Sequence, residues 1–173
     1  MIAVAILSAA EAEAEIDHLA EILWDCVDGG ASVNFVKPFT HEEARRFWRR
    51  TIASMAADGT VMLAARHEGR LVGTVLLGID TPPNQPHRAD IKKLLVHRRA
   101  RRLGLAKALM AAAEAEARRR GRTLLTLDTQ CGSAAERLYH ALGYTLLGII
   151  PRYAVAPDGG AVDDCAFFYK ALA

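Results

Sequence analysis

Cysteine is scarce in this chain, and aromatic residues make up only 6% of it. The three cysteines, Cys26, Cys131 and Cys165, are far apart and odd in number. That excludes a disulfide framework and offers no metal-ligand spacing. The six histidines are just as scattered, so no metal site is expected. No apolar run approaches the roughly 20 residues that a membrane span needs. The opening Met1-Ile2-Ala3-Val4-Ala5-Ile6-Leu7 is apolar but short, and no basic segment precedes it as in a secretory signal. These absences predict a reduced, cytoplasmic setting with no membrane partner. Lysine is sparse too: 5 lysines against 17 arginines.

What is present is globular composition, with 51% hydrophobic and 24% charged residues over 173 positions. One domain over residues 1–173 is expected, with enough chain for a real core. Net charge is +2, so the chain is no polycation, but the charge is uneven. Residues 11–28 carry seven acids and no lysine or arginine. Residues 88–107 carry eight bases against the single Asp90. Such a block is either a solvated surface or an anion site.

Periodicity and turn signals divide the chain. Ala3–Leu7 reads as a strand. From about Glu13 to Val27, Ile16, Leu19, Leu23, Trp24 and Val27 share a helical face. Thr40 with Glu43 is a capping box that opens a second helix to about Ala57. Thr60–His67 and Leu71–Ile79 form a hairpin around Glu68-Gly69-Arg70. Ala89–Val96 is the next strand, and Leu105–Arg120 is an alanine-rich helix closed by Gly121. Thr123–Asp128 is a strand, and Ser133–Leu142 a short capped helix. Tyr144–Val155 and Ala161–Leu172 are strands around Pro157-Asp158-Gly159-Gly160. The order β α α β β β α β α β β predicts a mixed α/β sheet with helices packed on it.

The most informative stretch runs from Leu94-Leu95-Val96 through a basic turn into Leu103-Gly104-Leu105-Ala106-Lys107. A helix N-terminus exposes unpaired N–H groups and partial positive charge. Gly104 and Ala106 leave room for close approach, and Arg101, Arg102 and Lys107 add charge. A diphosphate suits that geometry. The pattern is neither a P-loop nor a G-x-G-x-x-G fingerprint.

Arg101-Arg102-Leu103-Gly104-Leu105-Ala106 resembles the Arg/Gln-x-x-Gly-x-Gly/Ala signature of the GNAT superfamily of N-acetyltransferases. A second signature, Ala-x-x-Leu-Tyr-x-x-x-Gly-Phe/Tyr, is matched by Ala135 through Leu138, Tyr139, Gly143 and Tyr144. The two lie about 35 residues apart. The resemblance implies a GNAT-like fold: a central, mostly antiparallel seven-stranded sheet with a splayed strand pair, flanked by about four helices. It implies acetyl-CoA as co-substrate, held by Leu94, Leu95 and Val96 along the splayed strand, by residues 101–107 at the pyrophosphate, and by Ala135 and Tyr139. One departure is Gly132, where many members carry Asn. Gly29-Gly30-Ala31-Ser32-Val33, Arg88-Ala89-Asp90, Leu127-Asp128-Thr129 and Ala156-Pro157-Asp158-Gly159 look similar to the tabtoxin-resistance subgroup. That likeness implies a small amino-acid-like amine or toxin as acceptor.

Transfer of an acetyl group to an amine needs a polarised carbonyl, a deprotonated amine and a protonated leaving thiolate. Asp90 and Asp128 are the candidate bases, directly or through water. Their bland readings are an ion pair with Arg88 or Lys92, and a cap for the loop to Ser133. Tyr139 is the candidate acid through its place in the matched motif; the bland reading is a half-buried aromatic. Ser32, Asn34, Phe35, Arg152 and Tyr153 are candidate acceptor contacts. Arg88, Lys92, Lys93 and Arg152 are the cations available for a substrate carboxylate. Cys131 precedes a helix but has no orienting base, so it reads as a loop or core residue. The alternative is a non-catalytic acyl-CoA sensor of the same fold. Nucleic-acid binding is disfavoured, because the basic block holds no aromatic residue. A monomer or homodimer is expected.

Overall fold

The computed structural model describes residues 2–172; Met1 and Ala173 lie outside the described residues. Seven strands form one sheet: β1 (Ile2–Leu7), β2 (Thr60–His67), β3 (Arg70–Gly78), β4 (Arg88–Val96), β5 (Leu124–Gln130), β6 (Thr145–Val155) and β7 (Val162–Ala171). Their order is β1-β2-β3-β4-β5-β7-β6. Every neighbouring pair is antiparallel except β4 and β5. Five helices flank the sheet: α1 (Ala9–Ala14), α2 (Ile16–Asp28), α3 (His41–Ala56), α4 (Leu105–Arg119) and α5 (Ala134–Ala141).

The helix count exceeds the expected four because α1 lies ahead of the helix expected from about Glu13, which is α2. Ser8 and Glu11 form a full capping box that opens α1, and the chain breaks at Glu15 before α2 begins. The Ser8-x-x-Glu11 spacing is a start signal of the kind used correctly at Thr40, where Glu43 completes the box. The basic turn also has structure of its own, a 3-10 turn at Arg98–Ala100.

β2 and β3 are buried on both faces, and alternate residues feed two cores. Val61, Leu63, Val75 and Leu77 pack toward Leu105, Leu109 and Met110 of α4. Met62, Ala64, Leu71 and Leu76 pack toward Leu19, Leu23 and Trp48 of α2 and α3. Trp48 is fully buried, and its indole N–H donates to the Leu19 carbonyl at 2.8 Å.

Two irregularities shape the functional side. The parallel ladder between β4 and β5 spans only Arg88–Leu124, Ala89–Leu125 and Asp90–Thr126, and the strands then separate. The register of β3 against β4 shifts between Thr74 and Leu76, and Lys93 sits in the left-handed region at φ 50°. Ile91 packs into the α4-side core, yet so do Leu94 and Val96, while Leu95 lies in the other core. A bulge adds one residue and changes which face follows it. Truncating Trp48 to Ala removes the centre of the α2–α3 core, and a loss of about 3–5 kcal/mol is expected. Denaturant unfolding would measure it; a loss under about 1 kcal/mol would show that the site's roof does not depend on this packing.

Candidate acetyl-transfer site

The site is assembled where β4 and β5 part. At the last paired rung, Arg88 Nη1 donates to the Asp90 carboxylate and to Thr126 Oγ1, and Thr126 Oγ1 donates to Asp90. Arg88 Nε also donates to Gln85 at 2.8 Å. Asp90 is therefore engaged by the ion-pair partner that the sequence offered as its bland explanation. Arg88, expected as a cation for a substrate carboxylate, is consumed by the same contact.

Below the opening, the chain passes from β4 through the basic turn to α4. Gly104 stands at the helix N-cap with φ 82° and ψ 2°, and no side chain caps the helix. Helices α1, α3 and α5, in contrast, receive caps from Ser8, Thr40 and Ser133. The first-turn N–H groups of α4 are thus left for a ligand. A Cβ on Gly104 would meet nothing within 4 Å, so open space lies over this backbone. Arg102, at φ 64°, and Leu103 and Lys107 are exposed around it. Arg101 Nε bonds the Val96 carbonyl at 3.2 Å. Leu95, Leu105 and Ala106 are buried or half-buried in support. The arrangement fits a diphosphate.

The turn is anchored from α2. Asp25, 2% exposed, accepts from the Arg98 backbone N–H at 2.8 Å and from Arg98 Nε. Asp28 accepts from Arg98 Nη2 at 2.6 Å. His97 Nδ1 accepts from the Arg99 N–H, which leaves Nε2 to donate toward Glu21 and Asp25.

On the far side of the opening, Ser32, Asn34, Asp128, Tyr153, Asp163 and Asp164 line a cleft. The loop between α2 and α3 covers it and is tied to the β6–β7 turn, because the Lys37 N–H donates to the Pro157 carbonyl at 2.7 Å. Asp163 accepts from Gln130 and Asp164 from the Arg152 backbone N–H. Among the described residues, Asp128, Asp163 and Asp164 make no salt bridge. The cleft is therefore acidic. Arg152 does not line it; its exposed side chain leaves only the backbone as a contributor. Phe35 packs in the aromatic cluster with Phe39 and Phe47 rather than on the cleft wall.

Tyr139, on α5, is 5% exposed and packs near Tyr144 and Phe168, with half-buried Ala135 against the same core. Burial raises the Tyr139 hydroxyl well above its usual range, and the Asp128 charge adds to the rise. Cys165 donates to Asp128 Oδ2 at 3.5 Å, and its thiol is pushed up to about 12, first by burial and then by Asp128. Cys131 is also shifted upward, by burial and by the Glu136 and Asp164 charges, which favours the thiol over the thiolate. Gly132 occupies a turn at φ 75° and donates its N–H to Glu136, a conformation that favours glycine.

Sequence reasoning took Lys93 only as one cation among several. It is half-buried, and its ammonium is pulled down to about 8 by burial, with Lys92 adding to the fall and Asp128 opposing it. The bulge that places it has no sequence signature.

A family model described as acetyltransferase (GNAT) family matches residues 16–144. The chain belongs to that family of acetyl-CoA-dependent N-acetyltransferases. Solved structures share the fold over nearly the whole chain. A ribosomal-protein-alanine N-acetyltransferase from Brucella melitensis is 24% identical, with a TM-score of 0.78, covering 98% of this chain and 99% of its own. An N-acetyltransferase from Staphylococcus aureus Mu50 is 19% identical with a TM-score of 0.81, covering 100% and 99%. A Salmonella typhimurium protein solved with its cofactor acetyl-CoA is 20% identical with a TM-score of 0.78, covering 99% and 94%. At these identities the likeness shows the fold alone. No described helix is long and apolar enough to cross a membrane.

Replacing Gly104 by Val puts a β-branched side chain at a left-handed position, in the space over the α4 start. Acetyl-CoA affinity is expected to fall at least tenfold, the cost of about one charge-assisted hydrogen bond. Calorimetry on the folded variant would check this; unchanged affinity would remove the diphosphate from this turn.

Proposed function

We propose that the protein transfers an acetyl group directly from acetyl-CoA to the primary amine of a small molecule, with Asp128 as general base and Tyr139 as general acid. One observation carries the reading: Asp128, free of any salt bridge among the described residues, lies on the strand that parts from β4, opens on the cleft and bears electrostatically on buried Tyr139. The bound thioester supplies the activated acyl group. Backbone N–H groups at Leu94–Val96 polarise its carbonyl, and residues 101–107 hold the diphosphate. Asp128 accepts the ammonium proton, directly or through water. Tyr139 keeps its proton until sulfur departs; a thiolate formed in a buried cleft is itself made more basic, which favours the transfer. Asp90 contributes mainly by holding the opening through Arg88 and Thr126.

The acceptor is a compact amine. The loop tied to Pro157 roofs the cleft, which disfavours a continuous peptide chain. Three carboxylates attract an ammonium. Of the cations expected for a substrate carboxylate, Arg88 is taken by Asp90 and Arg152 lies off the cleft wall. The amino-acid-like toxin acceptor then rests on the tabtoxin-resistance resemblance and on Lys92 and Lys93, which have no salt bridge among the described residues. The three free cysteines suit the cytoplasm.

Asp128→Asn should cost about 100-fold in turnover at neutral pH, with the deficit shrinking as pH rises toward the amine pKa. Below that pKa the ammonium dominates and needs the base; above it the amine arrives neutral. Asp90→Asn should lower the rate by a factor that does not vary with pH. Rate profiles from a thiol-release assay over an amine panel would check both. Full neutral-pH activity of Asp128→Asn would overturn the base assignment.

Tyr139→Phe removes one hydroxyl from a buried ring. Folding and acetyl-CoA affinity should survive while turnover falls at least tenfold. Equal loss of cofactor affinity and turnover would make Tyr139 a binding residue instead.

A further inference from the structure

Five lysines occur in the chain, and one differs from the rest. Lys37 pairs with Asp28, Lys170 pairs with Glu114, and Lys92 and Lys107 are exposed. Lys93 is half-buried, and among the described residues its Nζ has neither a hydrogen bond nor an ion pair within 4 Å. Its charge rests on two ring faces, with Nζ 5.6 Å from the Phe35 centroid and 5.3 Å from that of Phe47. The bulge in β4 makes this placement. In an unbroken strand Lys93 would share the face of Ile91, toward α4. Instead the side chain reaches Phe35 and Phe47, which pack on the α2–α3 core.

That face is also the acceptor's. Leu125 and Leu127 of β5 pack toward α4, so alternation turns Thr126 and Asp128 to the α2–α3 side. A primary amine thus lies on the same side of the sheet as the candidate base, within reach of its charge, on the strand whose next residues are assigned to the thioester. Resting on the acetyl-transfer reading above, we propose that Lys93 is a self-acetylation site: without an acceptor, its Nζ takes the acetyl group from bound acetyl-CoA.

The chemistry balances with the groups in place. Lys93 first releases its extra proton to solvent. Its Nζ lone pair then forms an N–C bond to the acetyl carbonyl carbon, and the C–S bond breaks. Tyr139 protonates the departing sulfur, Asp128 takes the proton that leaves nitrogen, and that proton returns to Tyr139 through solvent. The products are an Nζ-acetyl amide and free CoA thiol. Burial assists, because the ammonium titrates at about 8 rather than at the exposed-lysine value, so a useful fraction is neutral at physiological pH. Asp128 from β5 and Lys92 from β4 are the charged groups that set this value, and the rings of Phe35 and Phe47 complete the surroundings. The amide product is uncharged and bulkier, so it weakens the contact with both rings and crowds the acceptor side. Self-acetylation is therefore expected to inactivate.

The test incubates the purified full chain with acetyl-CoA and no amine, and follows intact mass and peptide maps over time. One acetyl adduct is expected, on Lys93, forming at least tenfold faster than on Lys37, Lys92, Lys107 or Lys170. Its rate should rise with pH and level off near 8, while exposed lysines keep gaining. Lys93→Arg should lose the fast adduct, and Gly104→Val should slow it along with acetyl-CoA binding. Acetylation spread evenly over the five lysines would overturn the proposal. So would an unmodified Lys93 in protein shown by calorimetry to bind acetyl-CoA, whether or not an amine panel is acetylated. A Lys93 adduct without transfer to any amine would support self-acetylation and remove the amine-acceptor reading instead.

Discussion

The functional side of this molecule depends on a parallel ladder that stops after three rungs. Parallel strands usually continue pairing along their length, because each unpaired N–H or C=O in a buried sheet is costly. Here β4 and β5 pair at Arg88, Ala89 and Asp90 and then diverge. Arg88, Asp90 and Thr126 tie the two strands at the point of divergence. Beyond it β4 still pairs with β3 on its other side, up to Gly73 and Val96. The backbone groups of β4 that face the gap then have no β5 partner, so the fold presents a row of donors and acceptors at an opening inside the sheet. A strand edge of this kind would invite another chain at a sheet's border. Enclosed by α4, α5 and the α2–α3 loop, it suits an extended, narrow ligand.

The uneven charge of the sequence resolves into contacts. The acids of residues 11–28 do not line the acceptor cleft. Glu11 caps α1, Glu15 meets Arg66, Asp17 meets Arg45, and Glu21 meets His41. Asp25 and Asp28 clamp Arg98, so part of the basic block is neutralised by the acidic one. What remains exposed at the turn without an acidic partner among the described residues is Arg99, Arg101, Arg102 and Lys107, the last three around the start of α4. The block looked like a single electrostatic feature in sequence. It has two parts, a structural half that fixes the turn to α2 and a ligand-facing half that follows it.

This division shows what was legible beforehand. Local chemistry could be read directly: the capping box at Thr40, the cap at Ser133 (whose Glu136 reaches the Gly132 N–H instead of closing a box), the glycine opening α4, the hairpin at Gly69 and the order of elements along the chain all follow from residue types at fixed spacing. Helix α1 is equally readable, since Ser8 and Glu11 carry the same capping signal, but its alanine–glutamate run has no apolar periodicity to mark it. Long-range pairing was not readable. Nothing in Arg88-Ala89-Asp90 tells whether Asp90 faces a substrate or its neighbour, and nothing around Arg152 tells that its side chain lies off the cleft while its backbone N–H donates to Asp164. The bulge at Lys93 left no trace either, because a lysine at φ 50° follows no residue preference. Such features depend on which strands meet, and one chain's order of residues does not state that.

The two groups assigned to proton transfer illustrate how position separates like chemistry into roles. Asp128 and Tyr139 lie close enough to interact, yet they occupy different environments. Asp128 is exposed at the cleft and braced by the Cys165 thiol, while Tyr139 is enclosed by Tyr144 and Phe168. Each reinforces the other. The carboxylate's charge makes the tyrosine harder to ionise, so the hydroxyl remains a donor across the physiological range. A retained proton on that hydroxyl in turn adds no second negative charge beside the carboxylate. On the proposed reading, an acceptor ammonium entering the cleft would meet the base at the open end, and the departing sulfur would meet the acid at the closed end. On that proposal, burial would keep the hydroxyl protonated before any substrate is bound, and the open carboxylate would be the group free to take a proton.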